Sequence, residues 1–396
     1  MSGLPYLDLS TDEFWQDIYT PLAHAREQSK VVTTSDGGLY VLGHDEIEGV
    51  LKSPKFAAAD LLGMMGLNEG PVWEWWNRLM FSNNDPLHGR IRGLVSRAFT
   101  PRRIENERGR IRELADALID EAIESSETDL MTSVAHYLPS QAMAELFRIP
   151  EADRDMFCEW TTDVGLAFGA AGDPVIRAKV EAALANLDEY SSHLVEERRS
   201  SPGDDLLSEL IAVEEAGDKL STRELVDLVE NLLFAGHDTT RGSIGASLYL
   251  LDQNPDAMVA IRNDPSLIPN TIEESLRYEA ITFSTARTAT EDVVIDGVTI
   301  EAGTPLGVCL PAASRDPRAY DSPDTFDIYR KDVRPPTFGA GAHYCIGASL
   351  ARVELQEFLS SLVEKTSSVE VIETPRWAPF AHIRRYERFD VKFQGV

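Results

Sequence analysis

The chain has 396 residues, 43% of them hydrophobic and 26% charged, with a formal charge of −29; this composition excludes disordered and collagen-like classes and supplies ample apolar material for a core. So acidic a protein repels phosphate backbones and anionic lipid, so neither a nucleic acid nor a membrane surface is expected as a partner. The three cysteines, Cys158, Cys309 and Cys345, are widely separated and lack the paired spacing of a zinc site or a disulfide framework, while Met1 to Asp12 resembles neither a secretory signal nor a membrane anchor, so a cytoplasmic location is expected.

In chain order, Val31 to Leu42 has the pattern of strands, and Leu61 to Phe81 is rich in aromatic and aliphatic side chains. From Arg90 to Arg103 the chain carries Arg90, Arg92, Arg97, Arg102 and Arg103 without an acidic residue; this is either a dock for an acidic partner or a basic helix face balancing nearby carboxylates. Glu105 to Ser125 and Val175 to Arg198 place apolar residues at helical spacing, and Ser200 to Asp205 reads as an exposed loop. Cys158 and Cys309 stand among apolar neighbours and are expected to be buried small hydrophobes.

Thr222 to Gln253 predicts a long interior helix, yet its middle reads Ala235-Gly236-His237-Asp238-Thr239-Thr240-Arg241. Glycine weakens a helix and hydroxyls bond back to carbonyls, so the helix should open or bend there. Ile268 to Tyr278 and Ile346 to Lys365 predict further helices. Asp292 to Ile300, with its Asp296-Gly297 turn, and Pro305 to Leu310 predict strands. The fold class expected is mainly α with small β-sheets. No linker or repeat divides the sequence, so a single domain over residues 1–396 is expected.

The strongest signal is Phe338-Gly339-Ala340-Gly341-Ala342-His343-Tyr344-Cys345-Ile346-Gly347, a glycine-rich loop entering a helix. Unpaired amides at a helix N-terminus favour a thiolate, and glycine lets backbone pass close to a flat ligand. One thiolate without a second cysteine or a histidine pair is a poor zinc site but a sufficient axial ligand for haem. This loop resembles the haem-binding motif of the cytochrome P450 family, F-G-x-G-x-H-x-C-x-G, at every specified position. The resemblance implies a P450 fold, haem b as cofactor and Cys345 as the ligand to iron, with Phe338, Gly339, His343 and Gly347 around it.

Other landmarks follow in register. Glu274 and Arg277 match the family's E-x-x-R pair, and Arg330 matches the position that supplies it a second arginine; the implied role is structural. Ala235 to Thr240 resembles the oxygen-binding segment, which implies that Ala235 and Gly236 lie against the haem and that Asp238 and Thr239 flank dioxygen. Heterolytic O–O cleavage needs protons at the distal oxygen, which a hydroxyl fed by a carboxylate can relay. His237 is expected to be a helix-wall residue. His88, Arg92, Arg287 and His343 match positions that hold the haem propionates.

For substrate, the family's variable regions are apolar here, with Met80, Phe81, Phe168, Phe234, Ile281, Phe283 and Phe380 as candidates and Thr282, Ser284, Thr285 or His382 to orient a polar group. No flavin- or nicotinamide-binding motif is present. The resemblance therefore implies a monomeric monooxygenase fed by a separate ferredoxin and ferredoxin reductase, docking through Arg90, Arg97, Arg102 and Arg103. A haem-thiolate ligand-binding or sensing protein without turnover is the alternative, and it has no need of the Asp238-Thr239 pair. Peroxide-driven relatives replace that pair with arginine and proline.

Overall fold

A computed structural model describes residues 3–125, 127–167, 173–215, 220–379 and 382–396. The candidates Phe168 and Phe380 lie outside these residues. The principal helices are α1 (Pro71–Arg78), α2 (Leu87–Ala98), α3 (Pro101–Glu124), α4 (Tyr137–Leu146), α5 (Arg154–Gly165), α6 (Pro174–Ser200), α7 (Thr222–Ala235), α8 (His237–Gln253), α9 (Ile268–Tyr278) and α10 (Ala348–Lys365). Their starts are written locally. Thr100 and Asp173 accept backbone N–H bonds at the entries of α3 and α6, and Ser221 forms a capping box with Glu224 at that of α7.

The long helix expected from Thr222 to Gln253 is two helices that divide at Gly236. The Thr239 hydroxyl donates to the Ala235 carbonyl at 3.3 Å and that of Ser243 to the Thr239 carbonyl at 2.8 Å, so hydroxyls occupy acceptors of the amide ladder at the break. Around this axis α10 makes its most extensive helix contact with α3, and both contribute to one large apolar cluster with α4, α7 and α8.

Strands gather to one side. The larger sheet runs β1 (Tyr6–Leu7), β2 (Val31–Thr34), β3 (Leu39–Val41), β9 (Pro305–Cys309), β6 (Ser284–Ala289) and β4 (Phe56–Ala58) in spatial order. Val31 to Leu42 is thus an antiparallel β2–β3 hairpin. β7 (Val293–Ile295) and β8 (Val298–Ile300) form the hairpin expected around Asp296-Gly297, and β10 (Thr366–Val371), β11 (Asp390–Gly395) and β5 (Thr128–Asp129) form a third sheet. In the loop after α6, residues 201–204 are exposed as expected, but Asp205 is buried, because it accepts from Arg198 at 3.0 Å and caps Ser208. Among the described residues no helix is long and apolar enough to cross a membrane.

Candidate active site

Cys345 lies three residues before the first residue of α10, which is Ala348 and not Ile346, with Gly347 as the cap residue. The loop is pinned by the Cys345 amide, which donates to the Phe338 carbonyl at 2.9 Å. Gly339 and Gly341 have φ of +67° and +70°, and a Cβ on Gly341 would lie 2.3 Å from the Leu51 carbonyl oxygen; no other residue fits there without strain. Cys345 is exposed, and it lines a cavity of about 220 Å³ together with Met80, Thr239, Phe338 and Leu350. Burial raises the thiol pKa, against the opposing pull of the Gly347 and Ala348 amides, Arg92 and Arg352. The helix-end effect expected from the sequence is therefore present but outweighed, and a thiolate here calls for a bound cation.

A second cavity of about 260 Å³ shares Phe81, Ala235, Thr239, Phe338 and His343 with the first. Phe234, Trp76, Asp238 and Ile383 also line it, as do all four polar candidates, Thr282, Ser284, Thr285 and His382. Gly236 and Ile281 line the smaller cavity, Gly339 the larger. Phe283 does not belong with them: it is fully buried against Phe14 and Trp15, at ring separations of 5.8 and 5.0 Å. It belongs instead to a separate apolar cluster with Phe14, Trp15, Tyr40 and Cys309, whose burial draws the ring away from the cavity. Trp75 is core as well, with its indole N–H on Glu230 at 2.8 Å.

Asp238 and Thr239 reach these cavities from the first turn of α8. Asp238 packs so closely on α5 that a Cβ at Gly165 would lie 2.7 Å from its Oδ2. Its Oδ1 is buried without a hydrogen-bond partner, and its nearest cations are at arm's length, Arg241 at 3.9 Å and Arg385 at 4.0 Å. Sequence reasoning missed Glu354. This α10 side chain is 1% exposed, lines the cavity beside Cys345 and Thr240, and leaves Oε1 unpartnered; burial raises its pKa well above the carboxylate range. The signal was present, because Leu350 and Phe358, one helical turn to either side of Glu354, are apolar.

Four further candidates converge. The His88 and His343 rings stack at 4.0 Å, with His88 Nε2 and His343 Nδ1 buried and unpartnered. Burial, with Arg92 and Arg287 nearby, pulls both imidazole pKa values down, that of His343 to about 3. Arg287, in β6, is buried and donates only to neutral oxygens of Thr285 and Ala286; burial lowers its pKa to about 10. Arg92 donates to the Tyr344 carbonyl. Among the described residues no carboxylate pairs with either arginine, and Asp85, 3.9 Å from His88 Nδ1, is exposed. His343 and Arg287 line the larger cavity and Arg92 the smaller, while His88 is joined to them through the stacked ring. A buried and a half-buried arginine that lack acids, orphaned ring nitrogens, apolar walls and a cavity-lining thiol fit an iron porphyrin with its two propionates.

Glu274 and Arg277, both fully buried, form a two-pronged pair at 2.7 Å, and Arg330 Nε reaches the same carboxylate at 3.2 Å. The remaining guanidinium hydrogens go to carbonyls of Ser314, Asp321, Ser322, Pro323 and Thr325, fastening the irregular segment ahead of the cysteine loop to α9. The basic stretch is less available than its sequence suggests. Arg103 is enclosed by Glu107, Asp204 and Glu209, and Arg90 pairs with Glu224. Arg97 and Arg102 are exposed.

The family model described as Cytochrome P450 matches residues 173–374. Cytochrome P450 107B1 of Saccharopolyspora erythraea is 35% identical, over 98% of this chain and 98% of that one. The 6-deoxyerythronolide B hydroxylase of the same organism is 34% identical over 90% of each. The crystal structure of CalO2, 27% identical, superposes with a TM-score of 0.92 over 98% of this chain and 99% of that one. With that match, those relatives and a cavity built for a porphyrin, the chain belongs to the cytochrome P450 family, as a haem b monooxygenase.

Proposed function

We propose that this P450 inserts one oxygen atom of O2 into a C–H or C=C bond of a mainly apolar small molecule, with Cys345 as the axial ligand and electrons from a separate ferredoxin and its reductase. The whole chain acts as one P450 domain, monomeric and cytoplasmic. The observation that carries the reading is that Cys345, Thr239 and apolar side chains line one cavity, with Asp238 beside it and a buried cationic cluster at its edge. The haem, when bound, would supply the activation of dioxygen, from which the transferred oxygen atom comes.

The chain's own residues do the rest. His88, Arg92, Arg287 and His343 hold the propionates, while Phe81, Phe234, Ile281 and Met80 exclude water and bind the substrate's apolar body. Thr239 holds a proton at Oγ1, now donated to the Ala235 carbonyl, and Asp238 replenishes it from the α5 side. Glu354, whose pKa burial raises, is a second reservoir behind Thr240. Arg97 and Arg102 offer the exposed cations to an acidic redox partner, a smaller patch than four arginines.

The test uses the holoenzyme with surrogate ferredoxin and reductase, on a compound chosen by its shift of the ferric Soret band. Thr239→Ala should leave haem content unchanged while diverting most of the reducing equivalents to peroxide. Wild-type coupling of electrons to product in that variant would overturn the proton relay. Retention of the thiolate-type Soret band of the ferrous carbon monoxide complex by Cys345→Ser would overturn the ligand.

A further inference from the structure

Beside the α7–α8 break, and outside the residues used so far, three helices bring together His136, just ahead of α4, Cys158 of α5 and His237, the first residue of α8. One donor atom from each lies within 4.8 Å of the others, and among the described residues this is the one group of three histidine, cysteine or acidic side chains so arranged. Cys158 Sγ is 3.0 Å from His136 Nε2, and the two imidazoles face each other at 4.9 Å and 68°.

The surroundings are built as a ligand shell. His237, 1% exposed, has Nε2 3.1 Å from the His136 carbonyl, which can only accept, so Nε2 carries the hydrogen and Nδ1 is left with a lone pair. That Nδ1 is buried and unpartnered. Ligating histidines are commonly held this way, one nitrogen donating to a carbonyl and the other on the metal. Ser140 Oγ donates to the His136 and Tyr137 carbonyls and accepts from the Cys158 thiol at 3.1 Å, which aims the sulfur. His136 is only half-buried, giving an ion a way in.

We propose that His136, Cys158 and His237 bind one divalent ion of the zinc class, with Ser140 or water at the fourth position. Zn–S near 2.3 Å and Zn–N near 2.0–2.1 Å in a tetrahedron separate the donors by about 3.4–3.6 Å. The separations here, 3.0 Å between Cys158 Sγ and His136 Nε2 and no more than 4.8 Å between any two donors, bracket that value, so small side-chain rotations close the site. A thiolate and two imidazoles select zinc or copper over magnesium and calcium, whose ligands are oxygens. On binding, the thiol proton leaves to solvent and the residual positive charge falls beside Asp238, whose Oδ1 lacks a hydrogen-bond partner. The ion would thereby tie α4 and α5 to the turn of α8 that carries the acid. Spacing hides the site: Cys158 is 22 residues from His136, and His237 is 101.

Chelator-stripped holoenzyme is dialysed against Zn2+, passed through a desalting column and analysed for zinc per haem iron. Its zinc K-edge absorption, which haem iron does not obscure, gives the ligands. One zinc per haem is expected, with one sulfur near 2.3 Å and two nitrogens near 2.0–2.1 Å in its shell. Cys158→Ser should lose the sulfur and retain at least tenfold less zinc, with an unchanged carbon monoxide spectrum. If that variant does not yield haem protein, His136→Gln serves, losing one nitrogen and the same share of zinc. Failure of the wild-type protein to retain zinc, a shell without sulfur, or wild-type zinc retention in either variant would overturn the site.

Discussion

Two buried charged clusters flank the cysteine loop, and they are built on opposite rules. In Glu274–Arg277–Arg330 each carboxylate oxygen accepts from the arginines and the guanidinium hydrogens end on carbonyls, so the cluster is complete within the chain. In His88–Arg92–Arg287–His343, among the described residues, neither arginine has an acid partner, the one nearby carboxylate, Asp85, is exposed, and two ring nitrogens have no hydrogen-bond partner. A buried cation without its counter-charge costs stability unless something else supplies it. The first cluster is therefore finished by folding, and the second only by an anionic ligand.

Removing a member should act on different properties in the two places. Glu274→Ala strips a fully buried carboxylate from two arginines, a loss of about 3–5 kcal/mol. Little folded haem protein should be recovered, and chemical denaturation of the residue with haem removed should show the same deficit. A variant with wild-type apoprotein stability would break the comparison. Arg287→Ala should leave the apoprotein as stable as wild type or slightly more so, since an uncompensated charge is gone. The holoprotein should lose about 1.5–3 kcal/mol of a charged hydrogen bond, read as haem transfer to a scavenging apoglobin roughly 10–100-fold faster. Equal destabilisation of both forms would place Arg287 with the structural cluster.

What could be read in the sequence divides along a similar line. The Cys345 loop, the Glu274–Arg277 pair and the Gly236 break are local patterns, in which a few consecutive residues fix both geometry and chemistry. Phe283 was misread because apolar character alone does not tell a cavity wall from the core, and the rings it packs on, Phe14 and Trp15, are far away in the chain. Arg103 was misread because its partners, Asp204 and Glu209, are about a hundred residues away in the chain. Glu354 went unnoticed because an acid in a helix is ordinarily solvated, although Leu350 and Phe358 one turn to either side mark its face as apolar.

A third cluster tests the rule between these extremes. At the foot of α7, Arg78 and Arg223 face Asp188, Asp227 and Glu230, an excess of one negative charge. Glu230 is the deepest of the acids, 1% exposed, and accepts from the Trp75 indole at 2.8 Å. Burial, and the neighbouring Asp188 and Asp227, raise its pKa to about 8 against the pull of Arg223. Between the ordinary carboxylate range and that value the folded chain holds a proton that the unfolded chain releases, so this group's contribution to stability falls as pH rises through the window and levels off above it. Glu230→Gln, which mimics the protonated form, should match wild type near pH 5 and exceed it at pH 8. Because Arg223 offsets part of the cost of the ionised carboxylate, the gain should be modest, on the order of 1–3 kcal/mol. Denaturation midpoints at the two pH values measure it. A Gln variant less stable than wild type at pH 8 would mean that the carboxylate is ionised and paired, and that this cluster, too, is completed by folding alone.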